Sequence, residues 1–458
     1  MDSIAQQLSS YATSLHYRDL PAEVTQQAKR MIIDTLGCAL GGYTSEPSKI
    51  ARDLASTVTC RQPATILGSG QATSPDLATF ANGIMIRYLD YNDGYTSKES
   101  GHPSDSIAAV LSSAEVARAG GRRVIAATVL AYETFCRLGD AATLKYRGFD
   151  HVTIGCIASV LGTARALALR QELTQQAVNL GVVANIALNQ TRVGTLAMWK
   201  GCAYANASRN AVFATMLAAR GLTGPSPIFE GEGGYFKAVS GEAFELEPFG
   251  GQKGQPFKIM ECSIKRFPLG QYSQTVVQAA LEVRQQLLDT GADYRDIAQV
   301  SIQTLQKAVD IMAGDPQKWH PTTRETADHS MPYTTAVALM HGTVTQHHFD
   351  DEYLHNRQLL DLVQRVKVGV SEEANRRAPE AMLCTVEVAT KSGKRFAATV
   401  PYHKGHYKNP LSDAEVEGKF RSLARDLLTP AQTDALLDRL WHLEEVTDIG
   451  EVIRLTRI

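Results

Sequence analysis

The first half of the chain repeats its apolar residues with the period of an α-helix. Between Val24 and Leu36 apolar side chains recur at helical spacing, with Pro21 near the start and Gly41-Gly42 at the end. Other Ala- and Leu-rich stretches, separated by Gly, Pro or polar residues, predict further helices. They cover residues 76–88, 105–119, 122–138, 152–170, 173–188 and 201–220. Residues up to about 245 are therefore predicted to be almost wholly helical, without competing strand alternation.

The pattern changes after the loop Gly224-Pro225-Ser226-Pro227, because strand-like alternation then appears between helical segments. Val386, Val388 and Thr390 alternate before a turn at 391–394, which predicts a hairpin with the strand that follows. Predicted helices lie at 271–289 and 331–342, and predicted strands at 297–304, 363–370, 381–390 and 395–401.

Two helices are predicted to close the chain. Ser412 and Glu415 form a capping box, and Pro430 follows Thr429 at the first turn of the second helix. We expect a mainly α protein with a large all-helical domain and a smaller α+β domain. The helical domain covers 1–265 and includes the C-terminal helices at 405–458, and the α+β domain covers 266–404. A chain of 458 residues with 44% hydrophobic residues can fill two cores.

Composition excludes several classes of function. Lys and Arg number 46 against 48 acidic residues, a net charge of -2, so no overall attraction to nucleic acid or to an anionic membrane is expected. No apolar run reaches the roughly 20 residues of a membrane span, and the N-terminus lacks a signal-peptide pattern. The seven cysteines form no C-x-x-C pair, and their odd number argues against a fully paired disulfide framework. Their scatter along the chain argues against an iron-sulfur cluster. These features predict a soluble, cytoplasmic protein.

The richest chemistry lies between residues 90 and 105. This segment contains Asp90, Asp93, His102 and Asp105, which are close enough in sequence to shift one another's pKa. A polar surface loop in which Asp105 caps a helix is the structural alternative. A metal site is disfavoured, because two histidines one turn apart and nearby thiolates are both missing.

Other patches carry isolated candidates. His151 stands at a predicted helix start, where the helix dipole disfavours its charged form and leaves a usable base. Lys200 follows Trp199, and a solvated side chain is the alternative there. Lys265 lies at the predicted domain boundary, a common place for binding clefts. Tyr333 opens the helix at 331, and a core tyrosine with its hydroxyl satisfied is the alternative.

Taken in order, these patches resemble the MmgE/PrpD family, which includes 2-methylcitrate dehydratase, cis-aconitate decarboxylase and iminodisuccinate epimerase. The resemblance spans nearly the whole chain, and six motifs in the same order are more specific than any one alone. The motifs are Leu89-Asp90-Tyr91-Asn92-Asp93, Gly101-His102-Pro103-Ser104-Asp105, Gly148-Phe149-Asp150-His151, Trp199-Lys200, Lys265-Arg266-Phe267-Pro268 with Ser273-Gln274-Thr275, and Asp328-His329-Ser330-Met331-Pro332-Tyr333.

The resemblance implies a helical domain, an α+β lid domain, a homodimer, and catalysis without metal or cofactor. Where relatives often carry Thr after the Asp-x-x-Asp group, this chain has Gly94, and Thr96 is the substitute donor. The resemblance assigns cleft positions to Asp90, His102, His151, Lys200, Lys265 and Tyr333.

Members of this family act on small polycarboxylates at a carbon next to a carboxylate. Cationic side chains stabilise the carbanion formed there. Lys200 and Lys265 are expected to hold carboxylates, together with Arg266 and Arg192. His102 or His151 is the expected base and Tyr333 or the remaining histidine the expected acid, while Asp90 orients a histidine or lysine.

The motifs look most like those of the dehydratase branch. We therefore expect a hydro-lyase acting on a small tricarboxylate such as 2-methylcitrate or citrate. A decarboxylase acting on cis-aconitate or an iminodisuccinate-type epimerase are the enzymatic alternatives. A noncatalytic binding protein on the same fold is the alternative from another class.

Overall fold

A computed structural model describes residues 3–458. It is 58% helical and 8% strand, which confirms the predicted mainly α class. The helices of the first half are α1 Ser3–Ser14, α2 Ala22–Gly42, α3 Glu46–Ser56, α4 Pro75–Tyr88, α5 Ile107–Val116, α6 Gly121–Ala141, α7 Val152–Ala166, α8 Gln171–Ala184 and α9 Trp199–Ala219.

The second half contains shorter helices and four longer strands. The helices are α10 Gln274–Asp289, α11 Gln306–Met312, α12 Arg324–Ala327, α13 Met331–His341, α14 Asp351–Leu354, α15 Arg357–Val363, α16 Glu372–Arg377, α17 Asp413–Ala424, α18 Pro430–Trp441 and α19 Gly450–Leu455. The strands of the chain are β1 Ala64–Thr65, β2 Ala72–Thr73, β3 Ile297–Thr304, β4 Val366–Val370, β5 Cys384–Thr390 and β6 Arg395–Val400.

Backbone contacts divide the chain into two compact units. The helical unit comprises the chain up to Asn189, Gly201–Ile264 and Ser412–Ile458. The sheet unit comprises Gln190–Lys200 and Lys265–Leu411. Residues 190–200, which lie in the predicted helical range, are thus grouped with the sheet unit.

Closely packed helices form the core of the helical unit. Helix α6 packs against α7, and α2 packs against both α4 and α17. Thirteen consecutive residues of α7, from Val152 to Ala164, are buried, so this helix is covered on all sides. Gly155 permits a close approach, because a Cβ atom there would lie 2.4 Å from the Tyr204 ring.

A buried lysine joins the C-terminal segment, Ser412–Ile458, to the rest of the helical unit. The Lys419 ammonium of α17 lies 2.6 Å from the Asp34 carboxylate of α2. It also donates to the Tyr91 carbonyl at 2.7 Å and lies 3.8 Å from the centre of the Tyr91 ring. This lysine therefore fixes the start of the loop that follows α4.

A four-stranded sheet organises the sheet unit, in the order β4-β3-β5-β6. Strand β3 is parallel to β4 and antiparallel to β5, and β5 and β6 form the predicted antiparallel hairpin. Helix α10 packs on β5 and β6, and α13 packs on α10. Alternate residues of β5 are buried, which explains why its periodicity was visible in the sequence.

Two differences from the predicted elements have simple physical causes. The strand predicted at 363–370 begins only at Val366, because Asn356 caps the preceding residues into helix α15 by accepting from the Leu359 N–H. In the region predicted to be free of strands, β1 and β2 form a two-stranded antiparallel ladder, too short for periodicity to reveal. Among the helices of residues 3–458, none is long and apolar enough to cross a membrane.

Candidate functional site

Two groups of buried or partly buried ionisable side chains contain four of the eight predicted site residues, one group in each unit. The histidine cluster, in the helical unit, consists of Arg87, Asp90, Asp93, His102, Asp105, Asp150 and His151. The lysine cluster, in the sheet unit, consists of Lys200, Lys318, Asp328 and His329.

The loop that follows α4 carries Asp90, Asp93 and His102 of the histidine cluster, and its backbone is held in an unusual conformation. Helix α4 ends at Tyr88, and Asp90 then adopts a left-handed backbone with a φ of 49°. Tyr95 and Gly101 exchange backbone hydrogen bonds and close the loop on itself. A non-glycine residue with positive φ costs about 1 kcal/mol or more, and such strain is frequent at functional sites.

Arg87 is the hub of this cluster. Its guanidinium donates to Asp90 at 2.5 Å and lies 3.6 Å from Asp105. A third contact, of 3.0 Å, joins its Nη2 to the Nε2 atom of His102. All four side chains are buried. Asp90 is therefore linked to His102 through Arg87.

Two hydrogen bonds of the His102 ring indicate where its proton lies. Its Nδ1 atom lies 2.6 Å from the Asp93 carbonyl, which can only accept, so Nδ1 carries the proton. Its Nε2 atom faces a guanidinium donor of Arg87 and must be the acceptor. His102 is thus a neutral imidazole whose basic nitrogen already receives a hydrogen bond.

Asp93 is one of four buried carboxylic acids in the histidine cluster. Its Oδ1 atom accepts from the Ser104 hydroxyl at 2.6 Å and from the Ser104 N–H at 3.2 Å. Burial raises the pKa of this carboxyl from 3.8 to about 6, although the bonds to Ser104 and Tyr132 oppose the shift. Because the pKa of Asp93 is higher in the folded protein, the folded state binds this proton more tightly than the unfolded state does. The folded protein therefore loses stability as the pH rises from about 4 to above 6 and the carboxyl ionises.

We expect Asp93→Asn to gain stability relative to the wild type as the pH rises. The amide stays neutral and keeps an acceptor for Ser104, whereas the ionised carboxylate destabilises the fold by about 3 kcal/mol for a shift of roughly two pKa units. The measurement is the thermal midpoint of both proteins from pH 4.5 to 7.5. Parallel profiles would contradict the assigned shift.

His151 and Asp150 form a carboxylate–imidazole pair. The His151 Nδ1 atom lies 2.6 Å from Asp150 Oδ1, and Asp150 is 2% exposed. An ionised carboxylate accepts, so it holds the proton on Nδ1 and leaves the lone pair on Nε2. That Nε2 atom is buried and has no hydrogen-bond partner among residues 3–458.

The two imidazoles are neighbours, with ring centres 5.8 Å apart. The position of the His151 ring requires a glycine at residue 101. A Cβ atom on Gly101 would lie 2.5 Å from the His151 ring and 2.5 Å from the Phe135 ring. The two histidines are 49 positions apart in the sequence, and Gly101 leaves room for the His151 ring beside the residue that precedes His102.

Lys200 and Asp328 form the buried ion pair of the lysine cluster. The Lys200 ammonium contacts Asp328 Oδ1 directly, and both side chains are almost completely buried. The same oxygen lies 2.9 Å from His329 Nδ1. Arg192 is half-buried and donates to the Lys200 carbonyl at 3.1 Å, so it lies beside this pair.

Lys265 is fully buried in a turn that adjoins the same cluster. Gln274 holds the turn by accepting from the N–H groups of Arg266 and Phe267. The turn reaches Asp328 through a bond of 2.9 Å from the Gly270 N–H to the Asp328 carbonyl. The Arg266 side chain is exposed, with its guanidinium 5.5 Å from the Phe267 ring. Lys265 therefore suits a buried binding role better than Arg266.

Tyr333 lies in the core of the sheet unit. Its side chain is fully buried and its hydroxyl donates to the His348 carbonyl at 2.7 Å. Burial raises the pKa of this hydroxyl above its usual range. The geometry favours the core role left open by the sequence, because the proton of Tyr333 is already engaged.

Sequence reasoning passed over several charged residues. Arg87 stands only three residues before Asp90, so a pairing of the two opposite charges could have been inferred. Asp328 and His329 belong to a recognised motif but were assigned no role. Lys318 had no local signal, because only the fold buries it.

Comparison with known proteins identifies the relationship. The profile of the MmgE/PrpD N-terminal domain matches residues 6–247, and that of the MmgE/PrpD C-terminal domain matches residues 267–443. The chain belongs to the MmgE/PrpD family. This confirms the resemblance drawn from six short motifs.

Named members of the MmgE/PrpD family cover nearly all of the chain. A 2-methylcitrate dehydratase from Salmonella typhi is 28% identical over 89% of this chain and 88% of its own length. A cis-aconitate decarboxylase from Homo sapiens is 24% identical over 98% of this chain and 94% of its own length. Both named reactions are lyase reactions of small tricarboxylates.

Proposed function

We propose that this protein is a lyase that removes water from a small tricarboxylate such as 2-methylcitrate or citrate, without a metal or cofactor. The observation that carries the proposal is the Asp150–His151 pair, in which a carboxylate at 2.6 Å leaves a buried basic nitrogen ready to take a proton. The named dehydratase relatives support the choice of reaction.

In the first step, His151 Nε2 removes the proton on the carbon next to a substrate carboxylate. The electron pair of that C–H bond forms the carbon–carbon double bond as the C–O bond to the neighbouring hydroxyl breaks. Asp150 stabilises the imidazolium that results. We assign this role to His151 rather than to His102, because Arg87 already donates to His102 Nε2.

Lys200 and Lys265 hold substrate carboxylates in this proposal. Their ammonium groups are buried, and low local polarity strengthens their attraction for the negative charge that develops next to the carboxylate as the proton leaves. Arg192 helps to position Lys200 by donating a hydrogen bond to the Lys200 carbonyl. In this proposal Asp90 orients Arg87 and, through it, His102.

The departing hydroxyl needs a proton, and we assign its donor to His329. The Asp328 carboxylate, 2.9 Å from His329 Nδ1, stabilises the cationic form of that imidazole. Tyr333 is the less suitable donor, because its proton is bound to the His348 carbonyl.

Decarboxylation of cis-aconitate is the second candidate. The human decarboxylase aligns with 98% of this chain. The same ammonium groups stabilise the carbanion left by loss of carbon dioxide, and a protonated histidine then delivers the proton. An epimerase instead needs two acid/base groups on opposite faces of one carbon, a role the two neighbouring histidines could divide.

Incubation of the purified protein with 2-methylcitrate, citrate and cis-aconitate separates these reactions. We expect absorbance of an unsaturated acid to appear with 2-methylcitrate or citrate, no carbon dioxide, and no effect of a metal chelator. Carbon dioxide from cis-aconitate would favour the decarboxylase. If none of the three reacts, a stereochemical assay with iminodisuccinate tests the epimerase, and binding without turnover would indicate the noncatalytic alternative.

We also propose that the protein forms a homodimer through an apolar surface of the helical unit. Asn210 of α9 donates to Asn185, at the end of α8, so these elements are adjacent. Between residues 183 and 222, five large apolar side chains of the helical unit are exposed by 48% or more. They are Val183, Ile186, Leu188, Phe213 and Leu222. A surface of this kind indicates a protein interface.

Light scattering after size-exclusion chromatography tests this proposal. We expect a dimer for the wild type and a monomer for Phe213→Glu, because a charge in an apolar interface remains unpaired when the subunits associate. The matched control is Leu54→Glu, an equally exposed helical residue on α3. A monomeric wild type, or a dimeric Phe213→Glu variant, would contradict the proposed surface.

A further inference from the structure

Lys318 is a buried lysine that has no role in the dehydration proposed above. It ends a short helical turn, Pro316–Lys318, and its side chain is 0% exposed. The Lys318 carbonyl accepts from the Ser330 hydroxyl, which places Lys318 against the segment that carries Asp328 and His329. Its ammonium nitrogen has no hydrogen-bond partner among residues 3–458.

The surrounding charges do not neutralise this ammonium group. Asp328 is the carboxylate of the cluster, and it is already engaged by Lys200 and His329. Burial, with a smaller contribution from Lys200, lowers the pKa of Lys318 to about 8, while Asp328 and Asp315 oppose the shift. Below that pH the side chain is a buried cation, and burying a cation is costly unless an anion pairs with it.

A bound anion would supply the missing partner. Lys200 already engages Asp328, and the Lys318 ammonium has no hydrogen-bonded carboxylate among residues 3–458, so this ammonium favours a further negative group. Ammonium groups bind carboxylates through short, charge-assisted hydrogen bonds.

We propose that Lys318 binds a carboxylate group of the substrate, as a contact additional to those of Lys200 and Lys265. The inference rests on the proposed function only in taking the ligand to be a small polycarboxylate. A tricarboxylate presents three carboxylates, and the sheet unit supplies three buried lysines. Lys318 is then a specificity-determining residue, because a substrate that lacks the third carboxylate leaves its charge unpaired.

Calorimetric titration with propane-1,2,3-tricarboxylate tests the proposal directly, because this tricarboxylate has no hydroxyl and is not dehydrated. At pH 7 we expect Lys318→Met to bind about 10- to 100-fold more weakly, the range for losing a hydrogen bond between charged groups. Lys318→Arg, which keeps a permanent cation, should bind within about threefold of the wild type. The matched control is Lys29→Met, which removes a buried lysine paired with Glu444 in the helical unit and should leave the affinity unchanged.

The pH dependence provides a second measurement that does not require the methionine variant to fold. Wild-type affinity should fall as the pH rises above about 8, where Lys318 loses its proton. Lys318→Arg should lack this decrease. Identical pH profiles for the two proteins would overturn the proposal, as would unchanged affinity in a folded Lys318→Met variant.

The two proposals fail in different ways. Normal turnover and normal affinity in Lys318→Met would refute the role of Lys318 and leave the lyase function intact. A wild type that binds the tricarboxylate through Lys318 but converts none of the three substrates would refute the lyase function alone. A wild type that does not bind the tricarboxylate at all would overturn the role of Lys318.

Discussion

His151→Asn should lower kcat by a factor of about 10² to 10⁴, the usual contribution of a general base. The asparagine fills similar space but has no basic nitrogen, so the fold should persist while proton abstraction stops. Steady-state kinetics with the substrate identified by the turnover assay provide the measurement. KM should change little, because the carboxylate contacts are assigned to the buried lysines.

Asp150→Asn tests whether the pair acts as a unit. The amide can donate to Nδ1, which would move the imidazole proton to Nε2 and remove the lone pair that accepts the substrate proton. We expect a loss of kcat of the same order as for His151→Asn, and the double variant should be no worse than either single one.

The companion substitution in the other histidine discriminates between the two candidate bases. His102→Asn should reduce kcat less than His151→Asn, since His102 Nε2 is occupied by Arg87. A larger loss for His102→Asn, with His151→Asn near normal, would transfer the base role to His102.

Arg87→Met should destabilise the helical unit by about 3–5 kcal/mol, the cost of breaking a buried ion pair by removing one partner. The guanidinium is 2% exposed and contacts Asp90, Asp105 and His102. Without it, two buried carboxylates lose a common counter-charge. Thermal unfolding of the variant and the wild type in the same buffer measures the change.

Arg30→Met is the matched control for this prediction. Arg30 also pairs with an aspartate at 2.5 Å in the helical unit, but its side chain is 28% exposed and that of Asp413 is 45% exposed. Exposed pairs contribute about 1 kcal/mol or less. Equal destabilisation by the two substitutions would show that burial does not govern the strength of these pairs.

The elements that could be predicted are those whose side chains repeat with a clear period. Strand β3 was predicted with its observed bounds, because its buried positions leave a visible alternation. Helix α13 was predicted to within one residue, since Ser330 caps its start and Gly342 ends it. Helix α15 was missed because seven residues are too few to distinguish a short helix from a strand.

The candidate site divides in the same way. Asp90, His102, His151, Lys200 and Lys265 stand in motifs that could be read in order along the chain, so their identity as candidates needed no coordinates. The protonation states and hydrogen-bond partners of these residues could be assigned only from the coordinates. Arg87 selects the acceptor nitrogen of His102, Asp150 selects that of His151, and neither choice follows from spacing along the chain.

The sequence by itself determined the mainly α class, the hairpin of the sheet unit and the family, because local periodicity, turn residues and ordered motifs are properties of neighbouring positions. Only the tertiary structure decided which histidine keeps a basic nitrogen, that Tyr333 is bound in a core and that Lys318 is a buried cation. Burial and pairing depend on contacts between residues far apart in the chain, and these contacts set the chemistry of each ionisable group.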